Sequence, residues 1–221
     1  MMMRLLHLLP PEMAHQVTLY ALKYGFGPRI TEKKDLSLTL FGKKLRNPVG
    51  LSGGADKQAL ALAGWSGMGF GMVECGSVTL KPRAGNPQPR IWRFSADSAL
   101  VNWMGMPGDG LWPFIENLKA FQNQPERKKL FLGASIASPD GVLEEFTTLA
   151  AACAPYVDYM TINASCPNLA GHGAGDAAPE QAVVDQIKAA KQGAGNVPVL
   201  LKLAPTKNAE SLKRMVDAAV T

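Results

Sequence analysis

"LFLGASIASPDGVLEEFTTLAAACAPYVDYMTINAS", residues 130–165, is the stretch that decides the fold. It begins with a short run, "LFLGASIA", that is mostly apolar on both of its alternating faces. A helical segment follows, "DGVLEEFTTLAAACA", and then a second short run, "VDYMTINAS". A strand with no wet face must be covered on both sides, and helices do the covering. The stretch reads as one strand–helix–strand unit of a parallel sheet.

The same rhythm extends both ways. Upstream lie the strand "PVGLSGG", the helix "KQALALAGWSGM", the strand "GMVECGS", a long loop "VTLKPRAGNPQPR…MGMPGDG" and the helix "LWPFIENLKAFQ". Downstream, after a Gly-rich loop, come the helix "PEQAVVDQIKAAKQ", the strand "VPVLLKLAP" and the helix "AESLKRMVDAAV". That makes about five β/α units between residues 48 and 221. A closed (β/α)8 barrel takes about 250 residues. The expected fold is therefore α/β, a (β/α)8 TIM barrel that is incomplete here, occupying residues 31–221. It opens with a hairpin, "LSLTLFGKKLRNP", whose apolar and polar residues alternate around Gly42.

Residues 1–30 form a separate N-terminal helical extension, with pieces "LLHLL" and "EMAHQVTLYALKYGFG". The second places Met13, Val17, Tyr20 and Tyr24 near one side, and Gly25 and Gly27 stop it. Such a helix either packs on the domain or serves an apolar ligand or a membrane surface. The leading apolar run is too short to span a bilayer.

Composition narrows the function classes. With 47% hydrophobic and 19% charged residues, the chain is an ordinary globular protein. Its net charge of +5 is scattered. The clusters Lys43, Lys44, Arg46 and Arg127, Lys128, Lys129 lack interleaved aromatics, so they read as solvated faces and no nucleic-acid partner is expected. Cys75, Cys153 and Cys166 have neither metal nor disulfide spacing. This suits a reducing, cytoplasmic setting without a bound metal.

The polar residues mark a site. Lys57 follows the first strand and Ser77 ends the second; Ser135 lies in the third, Asn163 ends the fourth, and Lys202 lies in the fifth. In a parallel sheet those strand ends emerge on one face, where barrels and open sheets both place their active sites. Cys166 follows a strand end, in the polar turn "NASCPN". It is either a small core residue or a base acting as thiolate, with a reference pKa of about 8.5. A Cys–His pair with His172 is the hydrolase alternative. Asn163 and Asn168 can cap turns or hydrogen-bond a planar imide. A lysine inside "LLKLAP" either reaches the rim or meets a negative partner. The turn "GLSGGADK" allows close backbone approach to a ligand.

Together, "NPVGLSGGADK", "GFGMVECGSVTLKPRAGNPQPRIWRF", "LVNWMGMPGDG", "TINASCPNLAG" and "LLKLAP" resemble the dihydroorotate dehydrogenase family in order and spacing. "LLPPEMAHQVTLYALK" is similar to the helical extension of its membrane-associated, quinone-using class 2, whereas Cys166 is the class 1 choice. The resemblance implies an FMN-containing barrel that oxidises dihydroorotate to orotate in pyrimidine synthesis. By position, Cys166 would take the proton from the substrate's C5. Lys57, Asn102, Asn163 and Asn168, with the Met104–Gly105 backbone, would bind the substrate. Gly53, Gly54, Lys57, Ser77, Ser135, Asn163 and Lys202 would bind the cofactor. The electron acceptor implied is a quinone, with peripheral membrane contact through residues 1–30.

This chain departs from the family's pattern in several places. Trp103 stands where class 2 has arginine, and Met106-Pro107-Gly108 replaces Phe-Asn-Asn. Ser135 replaces a flavin-binding asparagine, and Ala55 a larger apolar residue. The family's main phosphate-binding glycines belong to strands six to eight, which the five units do not include. Two other readings remain open. One is a related FMN barrel such as a tRNA-dihydrouridine synthase; the other is a non-catalytic homologue or fragment.

Overall fold

The computed structural model describes residues 6–31, 33–163, 180–203 and 209–220. Helix α1 (Pro11–Lys23) comes first, then the hairpin β1 (Leu38–Leu40) and β2 (Lys43–Leu45). Next are β3 (Gly50–Leu51), α2 (Leu62–Gly67), β4 (Met72–Val78), the hairpin β5 (Ile91–Phe94) and β6 (Ala99–Asn102), and α3 (Leu111–Gln122). After them come β7 (Phe131–Ile136), α4 (Leu143–Cys153), β8 (Tyr159–Asn163), α5 (Glu180–Ala194), β9 (Val199–Lys202) and α6 (Ala209–Val220).

Five strands pair in parallel in the order β3-β4-β7-β8-β9. Spatial order follows chain order. With right-handed crossovers, that order puts every connecting helix on one side of the sheet. A doubly wound sheet would instead reverse its order at a switch point. The packing agrees. Val73, Cys75, Leu132, Ala134, Ile136, Met160 and Ile162 point out of the sheet into one core with Phe114, Leu118, Phe146, Leu149 and Ile187 of the helices. Truncating any of the fully buried Phe or Leu residues there costs about 2–5 kcal/mol.

The opposite face of the sheet is the barrel interior, and its N-terminal end is plugged. Leu45 of β2 packs against Phe131 and Tyr159. Those two rings stack at 5.3 Å. Gly133 makes the stack possible, because a Cβ there would fall 2.1 Å from the Tyr159 ring. The plug is also tied electrostatically. Asp158 accepts from Lys43 at 2.6 Å, from Arg127 through Nη1 at 3.0 Å and Nη2 at 3.1 Å, and from the Leu132 N–H at 2.8 Å. Burial alone would raise this carboxyl. The Arg127, Leu132 and Lys43 bonds outweigh it and hold the group below its usual range.

Three expectations need correction. The first helix after β3 is shorter than "KQALALAGWSGM" suggested. The Asp56 carboxylate captures the Leu60 and Ala61 N–H groups, both at 2.8 Å, and Ala59 sits at φ +54, so the helix starts only at Leu62. The long loop contains the antiparallel pair β5–β6, joined from Ile91↔Asn102 to Phe94↔Ala99. The basic clusters are not simply solvated: Arg127 and Lys43 serve Asp158, and Arg46 donates to the Phe70 and Ser66 carbonyls.

Candidate active site

The turn after β3 carries the first group of site residues. Gly54 N–H donates to Gly76 O at 2.8 Å, and Gly76 N–H donates to Asp56 O at 3.0 Å, so the turn is stapled to the end of β4. Gly54 stands at φ +102, a conformation in which a side chain would be strained. Asp56 is fully buried. Besides the Leu60 and Ala61 amides, it accepts from Trp65 Nε1 at 3.2 Å. Burial is the dominant effect on its carboxyl and pushes the pKa up despite these bonds. The pinned Asp56 fixes where Lys57 begins, and Lys57 Nζ donates to Gly54 O at 2.9 Å.

The strand ends supply the second group. The β4–β7 register shifts between Cys75 and Val78, and such a bulge re-aims side chains. Ser77 Oγ meets Ser135 Oγ at 2.7 Å, and Asn163 Nδ2 donates to Ser77 Oγ at 2.8 Å. Asn163 lies opposite Lys202 in the β8–β9 register. Beneath them, Thr161 donates to Glu74 Oε2 at 2.7 Å. A Cβ on Gly53 would come 2.7 Å from Glu74 Oε1 and 3.6 Å from the Ser135 Cβ, so the glycine turn lies directly over this floor.

Gly53, Gly54, Lys57, Ser77, Ser135, Asn163 and Lys202 therefore share the C-terminal end of the sheet. Asn102, Met104 and Gly105 sit on the long connection instead. Asn102 is exposed at the end of β6, opposite Ile91, and no hydrogen bond links it to the Ser77–Asn163 group. Met104 O accepts from Asn86 N at 3.0 Å, and Gly105 turns at φ +70 beside the Asn86 side chain. This strap approaches the turn through Gly108, whose Cβ position lies 2.6 Å from Gln58 Nε2. Cys166 and Asn168 lie outside the described residues. The other two cysteines are free and buried. Burial pushes the Cys153 thiol up to about 12 and Cys75 higher than its ordinary value, so neither is a nucleophile near neutral pH.

Sequence reading missed the residues of α1 that join this end of the molecule. Glu12 clasps Arg90, with Oε1 2.6 Å from Nη2 and both carboxylate oxygens 3.1 Å from Nε. Gln88 Nε2 donates to Glu12 Oε2 at 3.1 Å. His15 Nε2 donates to Ala55 O at 2.6 Å; a carbonyl can only accept, so that nitrogen carries the proton. The bond to Arg90 holds the Glu12 carboxyl below its usual range. The contacting residues are separated by 78 positions, with no local pattern to betray them. Met13, Val17, Tyr20 and Tyr24 are all exposed, so the apolar stripe of α1 points away from the domain.

The residues fit the family model described as "Dihydroorotate dehydrogenase", which matches residues 35–221. This chain belongs to the dihydroorotate dehydrogenase family. It is 37% identical to the dihydroorotate dehydrogenase (quinone) of Cereibacter sphaeroides, covering 97% of this chain and 62% of that protein. Its identity to the Bradyrhizobium diazoefficiens enzyme of the same name is 37%, covering 96% and 59%. The structure of a DHODH from Eimeria tenella in complex with ferulenol superposes with a TM-score of 0.84 at 28% identity, covering 95% of this chain and 63% of that one. The fold is thus that of the family's TIM barrel, with five of its strands among the described residues. The chain spans about six tenths of the length of these relatives.

Proposed function

We propose that the protein takes part in the oxidation of dihydroorotate to orotate in pyrimidine biosynthesis, with FMN as cofactor and a quinone as final acceptor. Family membership over residues 35–221 supports the reaction class. The observation that carries the reading is the Ser77–Ser135–Asn163 chain beside Lys57 and Lys202, at one end of the sheet. The glycine turn is the test of fit. Gly53 and Gly54 leave bare backbone over the Glu74–Thr161 floor, where a side chain would collide or be strained. A planar ring with imide edges can lie against such a surface.

FMN, when bound, supplies the hydride acceptor for the substrate's C6. The chain's own residues do the rest. Cys166 takes the proton from C5, in the thiolate form that this role requires. Asn163, Asn168 and Asn102 orient the substrate ring through amide hydrogen bonds, with Met104 and Gly105 as backbone partners. Lys57 would contact both substrate and cofactor; burial foremost lowers its pKa, which eases proton exchange. Lys202 would help hold the cofactor and would supply positive charge to offset the negative charge it gains. Residues 1–30 act as the extension through which the quinone and the membrane are approached, and the exposed stripe of α1 supports that reading. No helix among the described residues is long and apolar enough to cross a membrane.

Titration of the purified chain with FMN, followed by dihydroorotate oxidation with a soluble dye, tests the proposal. Weak but saturable quenching of flavin fluorescence and slow dye reduction are expected, because the five units lack the family's main phosphate-binding glycines. A chain that neither takes up FMN nor reduces dye would rule it out.

A further inference from the structure

Helix α1 is held by more than apolar packing. His15 bonds the carbonyl of Ala55, two residues before Lys57, and Glu12 closes on Arg90 in the strap. Arg90 in turn spends its Nη1 on the carbonyls of Ala84 at 2.6 Å and Asn86 at 3.0 Å, and it is nearly buried. The helix therefore touches both the turn that carries Lys57 and the strap that lies against it. Two cations are brought to this corner, Lys57 and Arg90. Glu12 pairs with Arg90, and the buried Asp56 is the chain neighbour of Lys57.

We propose that Glu12 is a positioning residue of the site: it supplies the carboxylate that offsets Arg90 and Lys57 together, so that the seating of α1 sets the charge state of Lys57. This deepens the proposed function, because Lys57 is assigned there to substrate and cofactor. The charged groups that reach Lys57 are Glu12 from α1, Arg90 from the strap and Asp56 from its own turn. Burial opposes its ammonium form most strongly; Glu12 is the leading charge that favours it, Arg90 opposes it, and Asp56 favours it. Asp56 is locked by the Leu60, Ala61 and Trp65 donors, whatever α1 does. Glu12 is the acid that leaves if α1 lifts.

The test reads Lys57 directly, with no flavin present. Amine acylation of the full chain is measured against pH, and the Lys57 peptide is quantified by mass spectrometry. Glu12→Gln should shift the Lys57 midpoint to lower pH, and Arg90→Gln should shift it to higher pH. The double variant should fall between them. Circular dichroism and limited proteolysis check that α1 stays docked. An unmoved midpoint in Glu12→Gln would overturn the proposal. So would shifts of the same sign in both single variants, because loosening of the structure, unlike charge, has no reason to reverse sign. Failure to bind FMN would count against the proposed function alone, since the Lys57 titration does not depend on it.

Discussion

The hydroxyls of Ser77 and Ser135 lie 2.7 Å apart, one on β4 and the other on its neighbour β7. The Asn163 amide caps the pair from β8, so side chains tie together three strand ends that the backbone ladder already pairs. Ser135→Ala removes one neutral bond of this chain and leaves Ser77 bonded to Asn163. The expected loss is about 1 kcal/mol in urea unfolding, with weaker FMN retention. Unchanged stability and flavin affinity together would mean that the chain is ornamental.

Asp158 makes a sharper case for stability. Removing its charge strands the largely buried Arg127 at the base of the barrel, whereas the exposed Lys43 can turn to water, and Asp158→Asn should cost about 3 kcal/mol at neutral pH. The sign against pH follows from its lowered pKa. A carboxyl held below its ordinary 3.8 contributes stability above that value and loses it as pH falls through the folded value. The stability gap between the natural chain and the variant should therefore narrow below pH of about 4, as measured by denaturant titrations at several pH values.

Gly133→Ala drives a methyl group into the Tyr159 ring. The strand cannot yield far, so a loss of about 1–3 kcal/mol is expected. Tyr159→Leu in the same background removes the obstacle and should recover part of that loss. A double variant no better than Gly133→Ala would show that the glycine serves the backbone instead.

Two substitutions on the outward stripe of α1 separate membrane contact from folding. Val17→Lys and Tyr20→Glu alter exposed positions, so stability should stay within about 0.5 kcal/mol of the natural chain. Co-sedimentation with phospholipid vesicles should fall, as should reaction with a membrane-dissolved quinone relative to a soluble dye. Equal loss with both acceptors would place the stripe outside quinone access.

Cys166→Ser tests the proposed base. Dihydroorotate oxidation should slow, and its pH profile should move, with flavin content little altered. An unchanged rate would remove the thiol from the mechanism.

Local period and composition made much of the architecture readable. The helices at Leu111–Gln122 and Ala209–Val220 end where "LWPFIENLKAFQ" and "AESLKRMVDAAV" end, because apolar spacing defines them and Pro113 falls in a first turn, where no intrahelical N–H bond is lost. The positions of Lys57, Ser77, Ser135, Asn163 and Lys202 in or just after parallel strands predict that they share one end of the sheet, and the strand pairing puts the ends of β4, β7, β8 and β9 there. The failures share a cause. β5 and β6 were hidden because prolines and glycines crowd the approaches on both sides. Arg127 looked solvated because its partner Asp158 is 31 positions away. Glu12 and Arg90 form their pair only once α1 has docked, and no window along the chain contains both.

The plug at the foot of the barrel also orders events during synthesis. Lys43 and Asp158 are 115 residues apart, and Leu45 lacks its two buried aromatic partners until Phe131 and Tyr159 exist. At about 5–20 residues per second, a ribosome leaves the hairpin waiting several seconds with its apolar side bare. During that interval the nascent hairpin offers chaperones a target, and closing the base waits on β7 and β8.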